Sequence, residues 1–226
     1  MSIGEKLSLF IKVKIYFLKQ QMKTFFKYYR NPSFGFCDLF FIFLYLFKNP
    51  FVISRKFLQK KGEDNIYTYG ETPYCTLEKI ATSFDIRSSD TVVELGAGRG
   101  KTLFWLSHFV GCKTIGVEWI PIFVKKGSLL AKFFGKNKVS FLLDDMFKID
   151  LKEASVVYLY GTCMEDSSIR KLIQKLSSYS DLKIITISFS LSQYSQKYTT
   201  EKEIAVSFPW GETTAYLNTF KGANNV

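Results

Sequence analysis

Val92-Val93-Glu94-Leu95-Gly96-Ala97-Gly98-Arg99-Gly100-Lys101-Thr102 is the stretch on which the fold turns. An apolar run of strand character enters a loop with glycine at every second position and leaves it as a helix. Glycine belongs where a backbone must turn tightly and let a ligand press against it. Three ligand classes use such a turn. An ATP-type phosphate loop is suggested by Gly100-Lys101-Thr102, but it needs glycine at position 95, and Leu95 stands there. A dinucleotide loop needs GxGxxG, so that a helix N-terminus can receive a pyrophosphate. Here the spacing is GxGxG, one residue too short.

Glu94, two residues before the first glycine, suits a ligand with a positively charged amino-acid end and is out of place beside a pyrophosphate. S-adenosylmethionine has that end, with an ammonium, a sulfonium and no phosphate. The loop therefore predicts this cofactor. Glu118 closes the next strand-like run (Lys113–Glu118), twenty-two residues after Gly96, where a carboxylate can grip both ribose hydroxyls. Its competing role is a solvated strand-end acid. Asp144-Asp145-Met146 ends a third strand, and there Asp145 can accept the adenine amino group while Met146 packs on the ring. One of the two aspartates can equally serve as a helix N-cap.

Outward from the loop, strands are predicted at Thr91–Leu95, Lys113–Glu118, Val139–Leu143, Ser155–Tyr160 and Leu182–Phe189. Helices are predicted at Lys101–Val110, Ile122–Phe134 and Ser167–Ser178. Such alternation means a parallel sheet covered by helices. Glu203–Phe208 and Thr213–Phe220 flank Pro209-Trp210-Gly211 as a hairpin. The expected fold class is α/β, a Rossmann-like methyltransferase sheet closed by an antiparallel C-terminal hairpin and preceded by a helical segment.

The charge divides the chain at the same place. Residues 1–61 carry twelve Lys or Arg against Glu5 and Asp38, whereas residues 62–226 carry nineteen against eighteen acids. The expected domains are thus 1–61, a basic helical segment, and 62–226, the catalytic domain. Within the first, Ile15, Leu18, Met22, Phe25 and Tyr29 form one apolar stripe, and Lys19, Lys23, Lys27 and Arg30 follow another face. Asn31-Pro32 breaks this helix, Phe34–Phe47 forms an apolar block too short to span a bilayer, and Phe51–Lys61 forms a third short helix. No small-residue cleavage site follows, so no secretory signal is expected. The segment is either an interfacial anchor for an anionic membrane surface or a cap packed on the domain.

Four cysteines lie 38, 37 and 51 residues apart, and His108 is the one histidine. That spacing predicts no metal site and no disulfide framework. It fits free thiols in a reducing, cytoplasmic setting, with the basic segment adding a peripheral position at the inner face of a membrane.

These motifs together resemble class I methyltransferases. A narrower resemblance rests on Tyr69-Gly70-Glu71-Thr72, some twenty residues before the glycine loop. It is similar to the non-SET histone-core lysine methyltransferases of the disruptor-of-telomeric-silencing type. The resemblance implies that Tyr69 and Thr72 touch the methionine end of the cofactor. It also implies cofactor contacts from Glu94, Gly96, Ala97, Gly98, Gly100 and Lys101, from Glu118 with Trp119 beside it, and from Asp145 and Met146. Later segments, Gly116–Pro121 and the VVYLYG strand end, look like the small mitochondrial lysine methyltransferases acting on ATP synthase subunit c and the ADP/ATP carrier, which also carry an N-terminal hydrophobic membrane segment. The implied acceptor is a protein lysine. Histone specificity is not implied, because the family's asparagine pair after the fourth strand is here Tyr160 and Gly161. That strand end also lacks the Asn/Asp-Pro-Pro-aromatic and Pro-Cys motifs of nucleobase methyltransferases, which disfavours a nucleic-acid partner. Tyr160 and Glu71 are the candidate catalytic residues. Their competing roles are a core-capping aromatic and an acid that holds the Tyr-Gly-Glu-Thr turn. The remaining readings are a lipid or small-molecule methyltransferase at the membrane, or a non-catalytic docking module.

Overall fold

The computed structural model describes residues 3–221. Three helices come first: α1 (Ile3–Tyr28), α2 (Pro32–Leu44) and α3 (Pro50–Lys61). The last two each begin at an Asn-Pro pair. Proline has no N–H to lose in a first turn, and the asparagine oxygen supplies an acceptor to the orphaned amides. Asn31 accepts from Phe34 N at 3.2 Å and Asn49 from Phe51 N at 2.9 Å. Gly62 ends α3 in the left-handed conformation, φ 76°.

There follow α4 (Tyr74–Ser83), β1 (Thr91–Leu95), α5 (Lys101–Phe109), β2 (Lys113–Glu118), α6 (Pro121–Phe134) and β3 (Val139–Leu143). Then come β4 (Val156–Leu159), α7 (Asp166–Leu176), β5 (Lys183–Ile187), a 3-10 turn at Leu191–Gln193, β6 (Tyr198–Phe208) and β7 (Gly211–Phe220). The sheet order is β3-β2-β1-β4-β5-β7-β6. β1 to β5 are parallel, and β7 enters antiparallel beside β5. The chain leaves β1 toward β2 on one side, while β4 lies on the other. Ligands bind at such a switch point, beyond the carboxyl ends of the strands.

Two elements differ from the expectation. α4 was not foreseen as a helix, although Tyr74, Leu77, Ile80 and Ala81 are buried at helical spacing. β6 starts at Tyr198, five residues earlier than the hairpin pattern indicates, with a register shift between Thr200 and Lys202. As the edge strand it carries the polar run Thr199–Glu203, which hides its strand character.

From Tyr28 to Tyr45 the N-terminal helices pack into the body of the protein. Tyr28 and Phe34 share one buried cluster with Tyr74, Leu77 and Trp105. Cys37, Phe41 and Tyr45 share another with Phe104 and Phe123. The Asp38 carboxylate is buried between helices and fully engaged, accepting from Tyr74 Oη at 2.6 Å and Tyr29 Oη at 2.9 Å. Among the described residues no helix is long and apolar enough to cross a membrane.

This packing sets a stability test. Phe41 is 2% exposed and Phe47 is 92% exposed. Phe41→Ala should cost about 3–4 kcal/mol in urea unfolding of the whole chain, as for a buried aromatic. Phe47→Ala should stay within about 0.5 kcal/mol. An unchanged midpoint for Phe41→Ala would show that the helices are a detachable appendage.

Candidate active site

The glycine loop is built from left-handed backbone. Gly96, Gly98 and Gly100 have φ of 76°, 54° and 84°, a region that side chains make costly. At Gly100 the space is also closed, since an added Cβ would lie 2.2 Å from the Phe141 ring. The loop is hung on β2. Gly96 N and Ala97 N both donate to the Val117 carbonyl, at 2.9 and 3.0 Å. Gly98 N donates to Glu118 Oε2 and Ile120 N to Glu118 Oε1, each at 2.7 Å. Glu118 therefore fixes the loop from beneath. Each of its oxygens keeps a second lone pair for a ligand.

Over the loop lies the Tyr-Gly-Glu-Thr segment, fastened by charge. Glu71 takes a bidentate ion pair from Arg99, Nε to Oε1 at 2.6 Å and Nη2 to Oε2 at 2.7 Å, with Lys101 at 3.8 Å. The Tyr69 hydroxyl donates to the same carboxylate. An added Cβ at Gly98 would meet the Tyr69 ring at 3.0 Å, so the ring rests directly on the loop. Burial alone would raise the Glu71 pKa, but Arg99 and Lys101 overcome it and hold the acid at about 2. Glu94 has the opposite fate. Burial lifts it to about 8, opposed by the Thr102 hydroxyl and reinforced by the Glu118 and Glu71 charges, and its Oε2 has no partner.

One cavity of about 520 Å3 opens at the strand ends. Tyr69, Gly96, Gly98, Glu118, Trp119, Asp145, Met146 and Tyr160 line it, so eight of the expected site residues meet there. Asp145 Oδ1 also accepts from Phe147 N at 2.9 Å, within a turn; no helix follows it, so the alternative helix N-cap role is not realised. The other six, Glu71, Thr72, Glu94, Ala97, Gly100 and Lys101, do not line the cavity. The Thr72 hydroxyl is spent on Tyr158 Oη at 2.5 Å. Lys101 sits 4.5 Å from the centre of the Tyr74 ring, on the Glu71 side. Ala97 is buried in the core under α2, and Gly100 serves the turn itself. Glu94 is buried at the end of β1, and Glu71 is consumed by Arg99.

Some site residues escaped the sequence reading. Ser54 and Leu58 bring α3 into the cavity wall. Asn65 Nδ2 donates to the Cys163 carbonyl at 3.4 Å, joining the two rims, and Cys163 is an exposed free thiol. Trp210, placed by the hairpin turn, stacks on Phe208 and donates from Nε1 to Tyr160 Oη at 2.9 Å. Tyr160 is also pressed from the other side, where a Cβ at Gly70 would fall 2.2 Å from its ring. The one signal for Trp210 was an exposed type of aromatic in a turn. Arg99 was legible only as an unpaired charge inside a glycine loop.

A seven-stranded sheet in this order, with a glycine turn after β1 and an acid closing β2, defines a class I S-adenosylmethionine-dependent methyltransferase. The chain resembles the RNA methyltransferase from Salinibacter ruber in complex with S-adenosyl-L-homocysteine, at 23% identity over 70% of this chain and 98% of that one, TM-score 0.56. It likewise resembles the magnesium protoporphyrin IX methyltransferase (ChlM) from Synechocystis PCC 6803 with bound S-adenosylmethionine, at 14% identity over 76% and 97%, TM-score 0.56. These likenesses concern the fold. No curated relative matches in sequence. The family model of the histone methylation protein DOT1 matches residues 52–177, more than half of the chain, and the chain belongs to that family. It is an S-adenosylmethionine-dependent methyltransferase, and the match begins in α3 and leaves out α1, α2 and the C-terminal hairpin.

The two acids give opposite pH signatures. For Glu71 the pKa is depressed from 4.5 to about 2. The resulting stabilisation, about 3 kcal/mol, is present above pH 4.5 and lost as pH falls through 2. Glu71→Gln should lose about that much at neutral pH and converge on the parent in acid. For Glu94 the pKa is raised from 4.5 to about 8, so its stabilising contribution is complete below 4.5 and lost as pH rises through 8. Glu94→Gln should therefore gain on the parent by about 5 kcal/mol across that interval. Denaturant titrations at several pH values check both, and a flat difference for either variant would refute its assignment.

Proposed function

We propose that this chain is a protein-lysine N-methyltransferase that works at a membrane surface. The observation that carries the lysine reading is the walled slot at the end of β4. There Tyr160 is held by Gly70 and Trp210 in a cavity that Tyr69 also lines and whose rim carries Glu63, Asp64 and Glu165. An acidic rim draws in a cation, and aromatic faces accept an ammonium by cation–π contact.

The residues fit the cofactor. Gly96 leaves its approach open, with only the Met146 methyl within 4 Å of an added Cβ. Glu118 has lone pairs free for ribose hydroxyls, Asp145 and Met146 suit an adenine, and Trp119 flanks them. The partnerless Glu94 oxygen provides negative charge toward an amino-acid end. When bound, S-adenosylmethionine supplies an electrophilic methyl group on a sulfonium.

The chain's own part is to strip water from the amine and aim it. A lysine ammonium near pKa 10.4 loses its proton more readily among apolar rings. Glu71 does not accept that proton, because Arg99 holds both of its oxygens and its pKa is about 2. Burial raises the Tyr160 pKa, with Trp210 and Thr162 opposing, so Tyr160 stays a neutral phenol that orients the acceptor. Glu71 is a positioning residue that acts through Tyr69 and Arg99.

Incubating the enzyme with methyl-labelled cofactor and separated membrane and soluble fractions tests this reading. Label should enter protein and be recovered as methyl-lysine. Tyr160→Phe should slow turnover about 10- to 100-fold while leaving cofactor affinity within about twofold. Label recovered in lipid or a small molecule would overturn the lysine assignment.

A further inference from the structure

Helix α2 has two apolar faces, and the fold uses only one. Phe34, Cys37, Phe41 and Tyr45 are buried. Phe36, Leu39 and Phe43, with Leu46 and Phe47 just past the helix end, are 50–92% exposed. A run of large side chains left open to water is costly at about 25 cal/mol per Å2 and marks a docking surface.

The open face extends beyond the N-terminal helices. Phe40 bridges Phe43 and Phe134, with ring centres 6.0 and 6.1 Å apart, and Phe134 adjoins Phe133 on α6, which is 69% exposed. On the other side Phe25 of α1 adjoins Tyr29, 5.5 Å between centres, and Tyr29 packs beside Gly35 of α2. Phe51 on α3 is likewise exposed, and its ring lies 5.0 Å from Tyr69 in the candidate site. Helices of both halves of the chain thus build one surface that runs up to the catalytic cavity.

Charge selects the occupant. α3 and α6 contain no acidic residue, and the single acid of α2, Asp38, is buried against two tyrosines. Exposed cations lie on or beside the same helices: Lys19, Lys23 and Arg30 at α1, Arg55 and Lys56 on α3, Lys132 on α6. Pairing two copies through this face would oppose cation to cation with no exposed acid on α2, α3 or α6 to answer. An anionic phospholipid surface offers both the apolar interior and the negative headgroups.

We infer that the face formed by Phe43, Phe47 and Phe133 inserts into an anionic bilayer and sets the catalytic cavity beside the headgroups. This deepens the proposed function and rests on it for one point, that the acceptor is then a lysine held at headgroup level on a membrane protein. Docking itself stands on the exposed face.

The full-length protein is mixed with vesicles of zwitterionic phospholipid, with and without phosphatidylserine, and sedimented. It should pellet with the anionic vesicles, less so as salt rises. Phe47→Glu and Phe133→Glu should each lower partitioning at least about tenfold. Both positions are exposed, so melting temperature and cofactor affinity should be unchanged, which separates loss of docking from loss of fold. Phe47→Trp should be quenched by brominated acyl chains. Normal vesicle binding by Phe133→Glu would overturn the inference and leave α1 as a basic tether alone. A solution dimer that Phe47→Glu dissociates, without vesicle uptake, would assign the face to a second copy. Vesicle binding with label found in lipid would sink the lysine reading and leave docking intact.

Discussion

The Glu71–Arg99 ion pair is the contact around which the site is assembled. It ties a segment that precedes the sheet to the loop that follows β1, twenty-eight residues later in the chain. Without it nothing in the local sequence would bring Tyr69 down onto Gly98. The guanidinium in turn lies 4.9 Å from the Tyr45 ring centre and 5.9 Å from that of Phe41, so α2 packs against the pair's outer side. A bidentate, partly buried pair contributes less through net energy than through geometry: it admits few alternatives, and removing one partner strands the other. The Tyr-Gly-Glu-Thr lid, the glycine loop and the N-terminal helices are therefore mutually dependent.

Two acids flank this contact in opposite protonation states. Glu71 stays ionised because two cations face it, while Glu94 is driven toward neutrality because burial finds no cation to offset it. That asymmetry is a division of labour. The ionised acid is saturated by its partners and holds structure, and the unsatisfied one retains capacity for a positively charged ligand. Glu118 lies between the two extremes, since burial raises its pKa while the amides of Ile120, Gly98 and Trp119 counteract.

The sequence carried the parallel sheet well because its signals are local. β1, β2 and β3 have the bounds that their apolar runs predict, and the left-handed turns fall on the three spaced glycines. What stayed illegible depends on distant partners. Nothing near Thr72 reveals that Tyr158, eighty-six residues on, takes its hydroxyl. Nothing near Trp210 reveals that its indole reaches Tyr160. The resemblance picked out the Tyr-Gly-Glu-Thr segment as a unit; within it Tyr69 lines the cavity and Glu71 and Thr72 do not. Side-chain direction in an irregular segment is set by the groups that capture it.

A membrane anchor and a packed cap are compatible within the geometry of one helix. A block as apolar as Phe34–Phe47 has more hydrophobic surface than a single contact stripe can bury. Packing α2 on α5 and α6 consumes one face and positions the opposite one, together with Phe133, on the outside. The cap is thus what would hold the anchor rigid. A flexible tether would leave the catalytic cavity free to point anywhere, whereas a face shared with α6 would fix its orientation relative to the surface it meets. Under the proposed function, in which a desolvated slot is presented to one amine, that orientation would remove rotational freedom before the acceptor arrives, and loss of such freedom is a large part of what any bimolecular transfer has to overcome.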